Sequence, residues 1–386
     1  MYDVIIIGGG IAGISSAYIL SQQGQRVLLL EQFIPTHERG SSHGDGRIIR
    51  YAYGADELVY LAMMKQAFTS WERLSNITGT PLYQTTGLLN FGAPGSVEIA
   101  LLQQAFIETD IPYEAMTATD CMNRFPQFRI PDHTEVLYEP SGGTVFADRA
   151  VSALWHLSKA AGADCRTEQR VEQLEVHENS VTVKTASGEK FDGAKLVIAA
   201  GGWAQHFTQQ LDLTLDLRVT QEQLAYFTDD GTYSHAVGDF PNMLDYFTKE
   251  PFYHLAAVDG HGVKVGWHHT GREIDAEHPL SEDADNMQAI KDFVRERLPH
   301  LNPEPIKTMP CLYTNTPDYH FIMDTHPVYQ HIVLAIGMSG HGFKFGTVLG
   351  DIVAALLNNT APPVPLEMFG LARFDAPNNL KRRVTA

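Results

Sequence analysis

Cysteine is scarce. Cys121, Cys165 and Cys311 are the only three in 386 residues. They are too few and too scattered for a disulfide framework or a zinc site, and a reducing cytoplasm suits them. Positive charge is short as well. Lys and Arg number 28 against 46 Asp and Glu, a formal net charge of −18. A surface of that sign repels phosphate backbones and anionic lipid, so neither nucleic acid nor a membrane is an expected partner. Long apolar runs are missing. The run Val4 to Ile7 stops at glycines and follows no basic segment, so it reads as neither a signal peptide nor a membrane span. His254, His261, His268 and His269 are close in sequence, but their spacing specifies no metal site, and none is expected. Hydrophobic residues at 44% and charged residues at 19% are ordinary for a folded globular chain. The length is large for one hydrophobic core, so two domains are expected.

What is present begins with Val4-Ile5-Ile6-Ile7, a β-branched run suited to a central parallel strand. Gly8, Gly10 and Gly13 then form G-x-G-x-x-G. A helix is expected from Ile14 to Gln23 and a second strand from Val27 to Leu30, finishing at Glu31. In such a strand–turn–helix–strand unit the first glycine permits the tight turn. The second lets a pyrophosphate approach, and the third lets the helix pack on the strand. The helix N-terminus offers N–H groups to phosphate, and the acid accepts hydrogen bonds from ribose. The context makes this a Rossmann-type dinucleotide site. The motif alone does not separate FAD from NAD.

Further along, Asp56 to Leu74 and Ile99 to Thr109 read as helices, and Leu82 to Phe91 as one strand. Asp148 is expected to cap a helix running through Ala160. Val171 to Val176 and Ser180 to Thr185 read as a hairpin. Strands dominate from Leu217 to Lys264, and Ser281 to Arg297 reads as a helix. Two more apolar strands run into glycine, Leu196 to Gly202 and Ile332 to Gly337; the second is followed by a helix from Thr347 to Leu357. One nucleotide domain assembled from three separated segments accounts for this recurrence, with an antiparallel-rich domain between them. The tail after Arg373 is polar and expected to be loose.

Four segments carry a resemblance: the glycine turn; Ser41-Ser42-His43-Gly44-Asp45-Gly46-Arg47-Ile48-Ile49-Arg50; Cys311-Leu312-Tyr313-Thr314 with His320 to Asp324; and Ser339-Gly340-His341-Gly342-Phe343-Lys344-Phe345. Lys264-Val265-Gly266-Trp267-His268 is a shorter fifth. In this order and over nearly the whole chain, the sequence resembles the monomeric sarcosine oxidase and N-methyltryptophan oxidase family, within the wider D-amino-acid-oxidase-like FAD group. The resemblance implies an α/β fold. A Rossmann-type FAD-binding domain would comprise 1–82, 144–216 and 317–386, and an antiparallel-sheet-rich α+β substrate domain 83–143 and 217–316. It also implies a monomer acting on a small amine and dioxygen.

For site residues the resemblance implies the following. FAD is attached covalently by the cysteine matching Cys311. From the residues alone that cysteine reads as a small buried apolar group. Arg50 and Lys344 match residues that clamp the substrate carboxylate, chemistry for which paired cations are suited. Lys264 matches the lysine that activates oxygen by fixed positive charge. Arg47 matches a basic residue near the flavin's reactive face, and His43 another flavin-site residue. Tyr253, Tyr313 and His268 match residues lining the substrate cavity, with His268 counted among the catalytic groups. The FAD-binding set is Gly8, Gly10, Ile11, Ala12, Gly13, Glu31, Ser42, His43, Val171, Gly201, Trp203, Cys311, Gly340, Gly342 and Lys344. The helix after Gly342 would aim its N-terminus at the flavin pyrimidine ring, where reduced flavin is anionic. Two departures stand out: the family's threonine before Arg47 is Gly46 here, and Phe240-Pro241-Asn242-Met243-Leu244 is unlike the sarcosine-specific pattern.

The expected activity is FAD-dependent oxidation of an N-methyl amino acid such as sarcosine, giving the demethylated amino acid, formaldehyde and hydrogen peroxide. The rivals are a flavin oxidase of a glycated, cyclic or primary amine, a flavin dehydrogenase with a partner acceptor, and a nicotinamide enzyme or non-catalytic nucleotide module.

Overall fold

The computed structural model of the chain describes residues 1–374. The expectation for the tail after Arg373 falls almost wholly outside the described residues. Its foundation is an eight-stranded sheet. Tyr2–Ile7 pairs in parallel with Val27–Leu30 on one side and Lys190–Ile198 on the other; Asp164–Arg166 and Ile332–Ile336 extend the parallel core. The hairpin of Val171–His177 and Ser180–Thr185 lies antiparallel along the first half of Lys190–Ile198, and Ile322–Thr325 lies antiparallel to Ile332–Ile336. Period-two alternation serves both faces. Val4 and Ile6 face a cluster with helices Ile11–Gln22, Ala147–Ala160 and Gly346–Asn358. Ile5 and Ile7 face the hairpin and helix Ala204–Gln210. Burying such a side chain stabilises by about 1.5–3 kcal/mol, which is why the run tolerates no polar residue on either face.

A nine-stranded sheet, mostly antiparallel, is built from strands between Leu88 and Asn315. Its long strands Arg218–Phe227 and Lys307–Asn315 pair antiparallel, and Arg218–Phe227 also pairs with Val263–Trp267. One face packs Ala225, Phe227, Val263 and Val265 against helix Ala284–Arg297. Alternation sends the other residues of the same strands to the opposite face: Leu224, Tyr226, Lys264, Met309, Cys311 and Tyr313. No described helix is long and apolar enough to cross a membrane.

Two local expectations are corrected. Leu82 to Phe91 is not one strand. It is Tyr83–Thr85, in a small three-stranded sheet, and Leu88–Gly92, in the nine-stranded sheet. The break falls at Gly87, whose φ of 79° turns the chain between them. Asp148 does not cap its helix. The N-cap is Phe146, without a side-chain bond, and Asp148 lies in the first turn. Its carboxylate accepts from Gly44 N at 2.8 Å, so it ties down the loop before Arg47.

Candidate active site

The carboxyl ends of the parallel strands and the second face of the nine-stranded sheet enclose one cavity of about 950 Å³. Ligands of open α/β sheets characteristically bind outside the strands' carboxyl ends. Nineteen of the 21 site residues singled out from sequence line this cavity; Gly13 and His43 do not.

Its nucleotide end starts at Gly8, whose φ of 101° suits glycine. A Cβ on Gly13 would lie 1.9 Å from the Gly8 carbonyl oxygen, so Gly13 contributes close helix–strand packing instead of cavity lining. Helix Ile11–Gln22 has no side-chain cap from Gly10, and its N-terminal residues Ile11 and Ala12 line this end of the cavity. Ser42 Oγ accepts from Ile11 N at 3.0 Å. The buried Glu31 carboxylate accepts from Gly9 N at 2.7 Å and Phe33 N at 2.8 Å, one bond per oxygen. A carboxylate has about four acceptor positions. Capacity therefore remains for ribose hydroxyls. Val171, Gly201 and Trp203 complete the lining nearby. The Arg39 guanidinium crosses the loops to the carbonyls of Ala276 (2.9 Å), His278 (3.3 Å) and Glu277 (3.4 Å), and Arg170 pairs with Glu277 at 2.9 Å.

The other end gathers cations. Lys264 is 4% exposed, and its Nζ donates to the Gly46 carbonyl at 3.1 Å. Arg47 Nη1 donates to the same oxygen at 2.9 Å, and its Nη2 to the Ser41 carbonyl at 2.8 Å. Burial, helped by the Arg47 charge, depresses the Lys264 ammonium to about 7. Burial pushes the Cys311 thiol up to about 11, although Arg47 and Lys264 pull the other way. Burial also raises the Tyr253 and Tyr313 phenols well above their usual value, so both act as neutral hydroxyls. His268 Nδ1 lies 3.0 Å from Tyr313 Oη. His43 is buried behind this wall and is held neutral: burial, then the charges of Arg47 and Lys264, lower it to about 3. Arg50 and Lys344, 6% and 5% exposed, line the cavity with Ile48, Leu244 and Met338. Gly340 and Gly342 form the turn between strand Ile332–Ile336 and Lys344.

The Gly46 departure has a structural reason. A Cβ there would stand 2.6 Å from Thr144 Cγ2 and 3.1 Å from Leu255 Cδ2. Thr144 is fully buried and its hydroxyl accepts from Asn242 Nδ2 at 2.9 Å. Thr144 therefore occupies the space that a side chain at 46 would need. Of the clustered histidines, His268 and His269 stay together, with ring centroids 4.0 Å apart, and His269 stacks on Tyr319; His254 stacks on Phe240 and His261 is exposed beside Asp45.

A glycine-walled cavity with a helix N-terminus, an acid with spare acceptors and a cationic far end fits a dinucleotide that carries a redox ring. The pattern of the FAD dependent oxidoreductase family (DAO) matches residues 3–356. The chain belongs to this family. It is 36% identical over 382 residues to human peroxisomal sarcosine oxidase, covering 97% of this chain and 96% of the relative. It is 31% identical over 376 residues to N-methyl-L-tryptophan oxidase of Yersinia pestis (strain Pestoides F), covering 97% and 99%. Among solved structures, NikD, described as an unusual amino acid oxidase essential for nikkomycin biosynthesis, aligns with a TM-score of 0.85 at 24% identity, covering 96% and 97%. That likeness establishes the shared fold.

As a member of this family the chain is an FAD-dependent oxidoreductase. Three residues behind the cavity went unmarked in the sequence. Tyr53 sits under Arg50, with the guanidinium carbon 4.4 Å from its ring centroid. Thr144 fills the space beside Gly46. Glu139, fully buried, accepts from Tyr51 N at 2.7 Å and Ala52 N at 3.1 Å. Its strand, Glu135–Glu139, carries a glutamate at each end of the run Val136 to Tyr138, so the sequence does not single out Glu139.

Proposed function

We propose that the protein oxidises N-methyl (secondary) amino acids. The observation that carries this is the pair Arg50 and Lys344, buried from two distant segments into one cavity with Lys264, Cys311 and the glycine turn. Two cations facing a cavity with an apolar wall suit an anion of small size, and a carboxylate fits both the fork of Arg50 and the point charge of Lys344. Bound FAD would supply the redox chemistry, taking a hydride equivalent from the substrate and passing two electrons to dioxygen. The chain's own groups orient and exclude water. Arg50 and Lys344 hold the carboxylate. Tyr253, Tyr313 and His268 bound the space beside the amine. Lys264 and Arg47, joined through the Gly46 carbonyl, would supply the positive charge that stabilises reduced oxygen. The balanced reaction consumes the N-methyl amino acid, dioxygen and water, and releases the primary amino acid, formaldehyde and hydrogen peroxide. The names of the human and Yersinia relatives support this class, with sarcosine and N-methyl-L-tryptophan as the first substrates to try. Cys311 would hold FAD covalently, and the protein would act as a monomer in the cytoplasm.

A peroxide assay over sarcosine, N-methyl-L-tryptophan, proline and glycine tests the proposal. Turnover of an N-methyl substrate with matched formaldehyde is expected. Peroxide only from a primary or cyclic amine would refute the N-methyl assignment. Acid precipitation tests the linkage: flavin colour should stay with the protein pellet and leave it in Cys311→Ser.

A further inference from the structure

Arg50 and Lys344 come from opposite ends of the sequence, yet one side chain touches both. Tyr53 is 1% exposed and does not line the cavity. Its ring lies under the Arg50 guanidinium, and its hydroxyl meets Lys344 Nζ at 2.9 Å. Lys344 Nζ also donates to the His341 carbonyl at 2.8 Å. An ammonium has three donors and no acceptor, so Tyr53 Oη accepts this bond. The next link sets the direction of the rest. His341 Nε2 lies 3.1 Å from the Tyr319 carbonyl, which can only accept, so Nε2 carries the proton. In the neutral ring Nδ1 is then an acceptor, and it lies 3.1 Å from Tyr53 Oη. With that tautomer Tyr53 accepts from Lys344 and donates to His341. The tyrosine itself is held on both sides. Its ring stacks on Tyr60 at 4.8 Å, and the two peptide N–H groups before it are bound by the buried Glu139 carboxylate.

We propose that Tyr53 is the positioning residue of the clamp, setting the spacing of Arg50 and Lys344 so that the two cations bind the substrate carboxylate as one unit. The proposal rests on the carboxylate reading above. It makes a demand that a merely structural tyrosine would not meet. The Tyr53 hydroxyl should matter for a charged carboxylate, should not matter for a neutral amide of the same shape, and should act through Lys344.

The test uses the FAD-loaded enzyme. Propionate and propionamide, which have no amine to oxidise, are titrated by the flavin visible spectrum. Tyr53→Phe keeps the ring under Arg50 and removes the hydroxyl. Propionate should bind about 10-fold more weakly, the lower range for losing a hydrogen bond to a charged group. Propionamide should stay within about twofold, on the argument that a neutral ligand does not draw on the Lys344 charge. In a Lys344→Met background the Tyr53→Phe change should add nothing further, the signature of coupled residues. Unchanged propionate binding in Tyr53→Phe, with a large loss in Lys344→Met, overturns the proposal and leaves the clamp standing. Fully additive losses overturn it too, since they give the hydroxyl a role independent of Lys344. If neither Lys344→Met nor Arg50→Met weakens propionate, the carboxylate reading itself fails. Thermal denaturation of each variant separates these outcomes from general loss of structure.

Discussion

The Gly46–Thr144 contact makes a quantitative demand. Gly46 lies outside the positive-φ glycines, so its backbone accepts alanine and only space opposes it. In Gly46→Ala the new methyl would stand 2.6 Å from Thr144 Cγ2, far inside ordinary contact. Leu255 Cδ2, at 3.1 Å, ends a flexible side chain and can give. Thr144 cannot turn aside freely, because its hydroxyl would leave the Asn242 amide. Overpacking of this kind costs about 1–3 kcal/mol. Thr144→Ser keeps the hydroxyl and deletes the offending methyl. Alone it should cost about 1 kcal/mol for the lost buried group. The double variant should then cost about the same as Thr144→Ser alone, because the overlap has gone. The coupling between the two sites should be about 1–3 kcal/mol in the favourable direction. Urea denaturation of the FAD-loaded protein, followed by circular dichroism and flavin fluorescence, measures it. Function should follow the same pattern. The Gly46 carbonyl accepts from both Lys264 and Arg47, so displacing it moves both cations. Reoxidation by oxygen should slow in Gly46→Ala and recover in the double variant. Simple additivity of the two single effects would refute the steric argument.

Lys264→Met should slow flavin reoxidation by dioxygen at least tenfold while sparing anaerobic reduction by substrate, a loss of about 1.4 kcal/mol or more of charge stabilisation. Stopped-flow with unchanged oxygen reactivity would remove Lys264 from that role. In the FAD-free protein the same residue sets a pH dependence. Its folded value is lowered to about 7 from 10.5, so between those limits the unfolded chain holds the extra proton. Stability relative to Lys264→Met should rise with pH across that window and level off above it; a flat difference in urea midpoints would contradict the burial. Arg39→Ala deletes three bonds to carbonyls of the 276–278 segment. In a Cys311→Ser background it should hasten FAD release severalfold, followed by flavin fluorescence on dilution; an unchanged rate would show that the bridge does not close the cavity.

The sequence by itself determined the local chemistry of the nucleotide end. Val4 to Ile7, Gly8, Gly10, Gly13 and Glu31 are contiguous enough that strand, turn, helix and acid follow from periodicity and glycine sterics; the structure has strand, turn and acid in those places and starts the helix at Ile11, ahead of the expected Ile14. It also specified which face of each strand is apolar, because alternation is a local property. The length of a strand was less legible. Leu82 to Phe91 reads as continuous alternation, and only pairing with two different sheets breaks it at Gly87. Asp148 reads as a cap, because caps are recognised by residue type, whereas the loop that competes for its carboxylate arrives from Gly44. What tertiary structure alone decided is which distant side chains meet. Lys264 and Cys311 share a face because their strands both pair with Arg218–Phe227. Tyr53 reaches Lys344 across 291 positions, and Thr144 takes the volume that makes residue 46 a glycine. Spacing along the chain carries no record of such contacts. They arise when packing forces buried donors to find acceptors and leaves no room for two side chains in one place.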